Sequence, residues 1–373
     1  MPQDHAIFLH TGWRSGGTWI WARLRAQPGV MGFYEPLHEV LGTIDQPLIE
    51  SMTAGSWDSR HGATSPYFLE YAPLLRPARS GVRRGVAGYE PRFAYERFFL
   101  DVDEPDEALE RYIKGLLTAA ASHGRIPALK FCRSLGRLGW MQRRFPGALH
   151  ALILRNPVAQ YDSATSQLAH GNRFFLVAPM VVMARNRQAP AVQAAVERMG
   201  VPLPALPSGR RDLDFELAWR HLQTLDTNVQ FRAFLAFWTL TMVRALSCPG
   251  IVVIDADRLP TDEPYRASVE ATLGQAARVI MRLDASPQPA PNAAPPGAAA
   301  AFGAAQDLLT DEARPHLQNH LRWPDTSAGA LGVAPATWRE ADATGRGARL
   351  WQTLYFAAIG ASMPARRLRG KFK

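Results

Sequence analysis

The segment that most constrains the fold lies at the start of the chain. Ala6-Ile7-Phe8-Leu9-His10-Thr11 is a short apolar run, Gly12 to Thr18 a glycine-bearing turn, and Trp19-Ile20-Trp21-Ala22-Arg23-Leu24 carries a helix-like pattern. A strand that turns on glycines straight into a helix predicts an α/β sheet. The helix start then aims its N–H groups and the positive end of its dipole at the crevice above the strand. Gly12 and Gly17 stand at the spacing of the two glycines of a phosphate-cradling loop, and Thr18 takes the hydroxyl position. The lysine that normally precedes that hydroxyl is missing, and Arg14 supplies the loop's positive charge instead. With no ligand, the same residues read as a tight strand-to-helix turn.

A second strand–turn–helix unit lies farther on. Ala148 to Leu154 is an apolar run suited to a strand buried on both faces, as parallel sheets require. Asn156 is a good helix N-cap and Pro157 a good first helical residue. Arg155 therefore stands at a strand's carboxyl end, and Ser163 falls in the second turn of the helix that follows. Ile126 to Cys132 and Gly250 to Asp255 complete the set of expected core strands after the first helix. Between them, Tyr34-Glu35-Pro36-Leu37-His38-Glu39 packs three ionisable groups into a turn after a short extended piece. Strand ends converge on the ligand crevice in such sheets, so Glu35 is a candidate general base with His38 in reserve. The alternative is that Glu35 caps a helix or pairs with an arginine.

Arg14-Ser15-Gly16-Gly17-Thr18-Trp19, taken with Arg155 and Ser163 in the strand, Arg-Asn-Pro, helix setting, resembles the two cofactor motifs of sulfotransferases that use PAPS (3′-phosphoadenosine 5′-phosphosulfate). The resemblance covers about a third of the chain. It implies a P-loop NTPase-like parallel sheet flanked by helices, with helical insertions and a helical C-terminal segment. It also implies that the backbone of Ser15, Gly16, Gly17 and Thr18 holds the 5′-phosphosulfate, with the Ser15 and Thr18 hydroxyls assisting. Arg14 would stabilise the transferring group, Trp19 would stack on adenine or pack in the core, and Arg155 with Ser163 would take the 3′-phosphate. No metal is required. Gly17 departs from the pattern, since many members carry Thr or Ser there. The acceptor would be a hydroxyl on a glycan, glycoconjugate or small metabolite, met by the region 42–125.

The chain of 373 residues, 47% hydrophobic, is long enough for a sizeable core. We expect one sulfotransferase-like α/β domain over 1–283 with a helical insertion at 173–248, a Pro/Ala-rich linker at 284–305 and a helical segment at 306–373. The apolar stripe of 215–246 suits a core or a homo-oligomer interface. A net charge of +9 suits a polyanionic ligand. The arginines are scattered without interleaved aromatics, so no nucleic-acid partner is expected. Two cysteines, Cys132 and Cys248, form no disulfide framework, and no apolar window is long enough to span a bilayer, so a cytoplasmic protein is expected. His316 and His320 stand four apart without a third ligand and read as a solvated helix face. Two rival readings stay open. One is a P-loop small-molecule kinase using ATP and Mg²⁺, with Asp255 as its acidic strand end; the other is a non-catalytic sulfotransferase-like binding protein.

Overall fold

The computed structural model describes residues 5–52, 66–77, 84–169, 171–207, 211–284 and 297–321. Five strands form one sheet: β1 (Ile7–Thr11), β2 (Val30–Tyr34), β3 (Ile126–Phe131), β4 (Leu149–Leu154) and β5 (Val252–Asp255). Their spatial order is β2-β3-β1-β4-β5, and every neighbouring pair is parallel. The expected α/β class with a parallel sheet flanked by helices is what the chain adopts. Parallel strands need crossovers, and the helices supply them: α1 (Gly17–Arg25), α2 (Gln46–Ser51), α3 (Glu107–Ser122), α4 (Leu138–Arg144), α5 (Pro157–Ala169), α6 (Phe174–Arg185), α7 (Pro190–Arg198), α8 (Arg211–Thr224), α9 (Thr227–Leu246), α10 (Glu263–Ala277), α11 (Ala298–Gln306) and α12 (Arg314–Leu317).

Burial on both faces explains the near-continuous apolar strands. In β4, Ala151 and Ile153 join an apolar cluster with α1, α3 and α10, while Leu152 and Leu154 join a second cluster with α5 to α9 and α11. The register aligns Tyr34 with Lys130, Thr11 with Ile153 and Leu154 with Asp255. All the strand ends thus open onto one edge of the sheet.

The structure refines two expectations. The stripe at 215–246 is two helices, because Asp226 caps α9 by accepting from the Val229 amide. Most of α9, from Phe231 and Ala233 to Trp238 and Met242, is buried within this chain, so that face is core. Within the expected linker, 285–296 lies outside the described residues, but Ala298–Gln306 is the helix α11. Its Ala298, Ala301, Phe302 and Ala305 recur at helical spacing and are buried, with the Phe302 ring 5.9 Å from that of Phe231 on α9. Small side chains there permit close helix approach. Of the C-terminal segment, residues 306–321 are described, and 322–373 lie outside the description. Cys132 and Cys248 are both thiols.

Candidate functional site

At the end of β1 the chain reverses through two left-handed residues, Arg14 (φ 65°) and Gly16 (φ 87°), the latter serving as N-cap of α1. Glycine adopts that backbone readily, whereas Arg14 does so at a strain of order 1–3 kcal/mol. The Ser15 hydroxyl donates to the Gly12 carbonyl at 2.8 Å, so it closes the loop. Gly17 and Thr18 open the helix, where backbone amides lack intrahelical acceptors. Gly17 departs from the sulfotransferase pattern for a packing reason: a Cβ there would sit 2.3 Å from Thr11 Cγ2. Thr11 itself is held by the Phe131 carbonyl and approaches Cys132 Sγ at 3.2 Å. The Thr18 hydroxyl lies 3.4 Å from that of Tyr34. Trp19 is partly buried and packs on the sheet's apolar cluster, as its core-packing alternative required.

The second motif meets the first. β4 lies beside β1, so Arg155 at its carboxyl end comes under the loop and donates from Nη1 to the Arg14 carbonyl at 2.7 Å. Asn156 caps α5 as expected, its Oδ1 accepting from the Val158 amide at 2.9 Å. Two turns on, Ser163 Oγ accepts from Arg14 Nε at 2.9 Å. The Arg14 guanidinium also lies over the Phe175 ring at the start of α6. Arg14, Arg155 and Ser163, up to 149 residues apart, therefore form one hydrogen-bonded group. Arg155 is 5% exposed, and its Nε has no hydrogen-bond partner among the described residues; the nearest carboxylate oxygen, on Asp257, is 3.9 Å away. Burial pulls the Arg155 guanidinium below its ordinary pKa, with Asp257 and Asp162 opposing.

Glu35 and His38 occupy a different layer, beneath the loop. Glu35 directly follows β2 in a left-handed conformation (φ 45°) and is 3% exposed. One carboxylate oxygen is bound to Lys130 Nζ; the other accepts from the Cys132 amide at 3.0 Å and from Arg133 Nη1 at 3.2 Å. Burial pushes the Glu35 carboxyl up, but Lys130, Arg133 and the Cys132 hydrogen bond more than offset this and hold it below the usual value. This is the ion-paired alternative, reached through a lysine as well as an arginine. A carboxylate so held is a weak proton acceptor. Arg133 also binds Glu39 at 2.6 Å, and Tyr95 donates to Glu39 at 2.7 Å. His38 Nδ1 accepts from the Val40 amide at 3.1 Å, and burial lowers its pKa to about 4 despite Glu39, so it is neutral near pH 7. The Cys132 thiol, 2.9 Å from Lys130 Nζ, is pushed up to about 11 by burial and Glu35.

Sequence reasoning did not single out Arg133 or Lys130. The available signal was that Lys130 and Arg133 interrupt an apolar stretch that reads as a buried strand, where charges need partners. It also missed His320, whose side chain is 12% exposed and faces Asp255 and Asp257 instead of solvent. Among the described residues no helix is long and apolar enough to cross a membrane, and no cluster of three or more His, Cys, Asp or Glu could hold a metal ion.

Comparison with known proteins yields no matching family model and no matching curated protein. Among solved structures, the sulfotransferase domain of the Synechococcus PCC 7002 olefin synthase aligns over 94% of this chain and 94% of its own, at 11% identity and a TM-score of 0.32. A likeness at that score adds nothing to the geometry above.

Proposed function

We propose that this protein transfers a sulfuryl group from PAPS to a hydroxyl-bearing acceptor. The observation that carries the reading is the convergence of Arg14, Ser163 and Arg155 at the carboxyl ends of two adjacent parallel strands, around a glycine loop without the ATPase lysine.

The residues fit the group they would bind. Arg155 Nε is a buried donor without an acceptor, the sort of atom a phosphate oxygen would satisfy. Arg14 and Arg155 offer forked donors to anionic oxygens, and the start of α1 adds backbone amides and the helix dipole. The Ser15–Thr18 amides would hold the 5′ end, and Arg155 with Ser163 the 3′-phosphate that separates PAPS from ATP. Bound PAPS would supply the sulfuryl group. Arg14 would stabilise charge at the reacting end, and its left-handed backbone, tied through its carbonyl to Arg155, fixes where the guanidinium is presented. The buried Glu35–Lys130–Arg133 layer would support the loop from below. Its ion pairs replace Glu35's expected role as base with a positioning one. Loose transfer of this kind depends on orientation and electrostatics more than on covalent help from the protein.

Calorimetric titration with adenosine 3′,5′-bisphosphate, AMP and ATP tests the reading. The bisphosphate should bind best, and Arg155→Ala should remove most of its advantage over AMP. Equal affinity for AMP, or ATP binding that needs Mg²⁺, would overturn the assignment.

A further inference from the structure

The end of the described chain reaches the Arg155 site through a carboxylate. Leu309, Ala313, Leu317 and Leu321 are buried in the cluster around α9 and anchor residues 309–321 against the domain. This brings His320 to the carboxyl end of β5. Its Nε2 lies 3.4 Å from Asp255 Oδ2, and its Nδ1 lies 3.9 Å from Asp257 Oδ2. The same Asp257 Oδ2 accepts from the Asn156 amide at 2.6 Å, while Oδ1 faces Arg155 Nε at 3.9 Å. At that distance the carboxylate is a counter-charge but not a hydrogen-bond acceptor, so Arg155 is neutralised without being satisfied.

We propose that Asp257 competes with the ligand phosphate for Arg155 and that His320 sets the strength of that competition. Occupation of the site is then coupled to proton uptake by Asp257. The inference rests on the reading that a phosphate dianion binds at Arg155, and adds to it a regulating residue on the C-terminal segment. The charged groups facing Asp257 are Arg155 from the end of β4, Asp255 from β5 and His320 from the C-terminal segment. The adjacent Arg258 is turned toward Asp262 and the Tyr265 ring. Asp162 on α5 bears on Arg155 from the other side.

A dianion arriving at Arg155 meets the Asp257 charge at close range. Protonation of Asp257 relieves the repulsion. A proton on Asp257 removes the competing charge. Burial already pushes the Asp257 carboxyl above its ordinary value, Asp255 adds to the rise, and the Asn156 amide, His320 and Arg155 oppose it. This predicts that the protein's preference for a phosphate dianion strengthens as pH falls.

The test measures the affinity of the full chain for adenosine 3′,5′-bisphosphate and AMP between pH 5.5 and 8, in wild type, Asp257→Asn and His320→Gln. Asn keeps an oxygen for the Asn156 amide, and thermal melting checks that each variant folds. The ligand's own second ionisation, near pH 6, affects all three proteins alike, so the readout is the ratio of affinities at each pH. Asp257→Asn should bind the bisphosphate roughly ten-fold more tightly at pH 8, with AMP unchanged, and that ratio should shrink toward one at pH 5.5. His320→Gln removes a group that holds the Asp257 carboxyl down, so it should ease Asp257 protonation and tighten the bisphosphate at pH 6. An Asp257→Asn ratio of one at every pH, or weaker binding, overturns the proposal. If wild type never prefers the bisphosphate to AMP, the 3′-phosphate reading fails and the coupling falls with it. A wild-type preference that Asp257→Asn leaves unaltered sinks the coupling alone.

Discussion

Replacing Glu35 by Gln separates a strut from a base. The carboxylate is 3% exposed and lies against two buried cations, Lys130 (3%) and Arg133 (1%). Gln keeps one acceptor oxygen and presents an NH₂ donor where the other was, so one cation meets a donor. Removing one member of a buried ion pair destabilises by about 3–5 kcal/mol. Arg133 retains Glu39 and Tyr95, and Lys130 retains Cys132 Sγ and the face of Tyr34. The expected loss therefore sits at the low end, about 3 kcal/mol, or roughly 5–10 °C in melting midpoint. The pH dependence has a definite sign. Burial raises the Glu35 carboxyl, Lys130 and Arg133 outweigh it, and the folded pKa lies below the unfolded one. Stability from Glu35 is then fully present above the unfolded value of about 4.3 and is lost as pH falls through the lower folded value. Thermal melts should show the same deficit at pH 7 and at pH 5.5. A variant that melts like wild type yet has lost turnover would refute this reasoning and restore Glu35 as the base.

Three further outcomes follow from packing and burial. Gly17→Ala puts a methyl against Thr11 and should cost about 1–3 kcal/mol, part of it recovered when Thr11→Ala is added; strictly additive losses would place the strain elsewhere. His10, His38 and His150 are all held below the ordinary histidine pKa, chiefly by burial. Their unfolded forms take protons first, so stability should fall as pH drops below about 6.5; His38 alone contributes about 3 kcal/mol between 6.5 and 4, and a flat melting profile from pH 7 to 5 would contradict this. The Cys132 thiol, raised to about 11 and buried, should resist alkylation at pH 8 until the protein unfolds, which mass spectrometry can follow.

The site was legible where its chemistry is encoded by contiguous residues. The β1–loop–α1 unit and the Arg155-Asn156-Pro157 turn each carry their own strand, turn residues and cap, so neither needs knowledge of the rest of the fold. Glu35 was placed correctly at a strand end, but its partners could not be read. Lys130 lies 95 residues away, and the two meet because β3 is inserted between β1 and β2 and pairs Tyr34 with Lys130. Helix α11 was hidden for another reason. Alanine-rich sequence with nearby prolines looks like a linker until a partner surface, here α9, makes small side chains an advantage. The Gly17 departure likewise became intelligible only once Thr11 occupied the space a larger residue would need.

The strand order sorts the charges at this edge into two layers. Beneath the loop, Lys130 and Arg133 are matched by Glu35 and Glu39, all under 5% exposed, and such a set holds the turns after β2 and β3 in place. Along the rim, Arg14 meets a serine hydroxyl and an aromatic ring, and Arg155 meets a carbonyl and a distant carboxylate. Buried matched charges serve geometry; a buried donor without an acceptor, as Arg155 Nε is, suits an incoming anion. Removing charge should therefore have opposite signatures. Lys130→Met leaves Glu35 in deficit and should lower the melting midpoint strongly, while bisphosphate affinity of the folded fraction changes less than three-fold. Arg155→Ala removes a cation whose Nε is already unsatisfied, so it should move the midpoint little and cost the bisphosphate about 1.5–3 kcal/mol, or ten- to a hundred-fold in affinity. Lys130 and Arg155 bind different partners, so the double variant should show near-additive losses in both assays. Strong coupling between the two substitutions would mean that the floor and the rim act as one unit, and the separation of roles would fail.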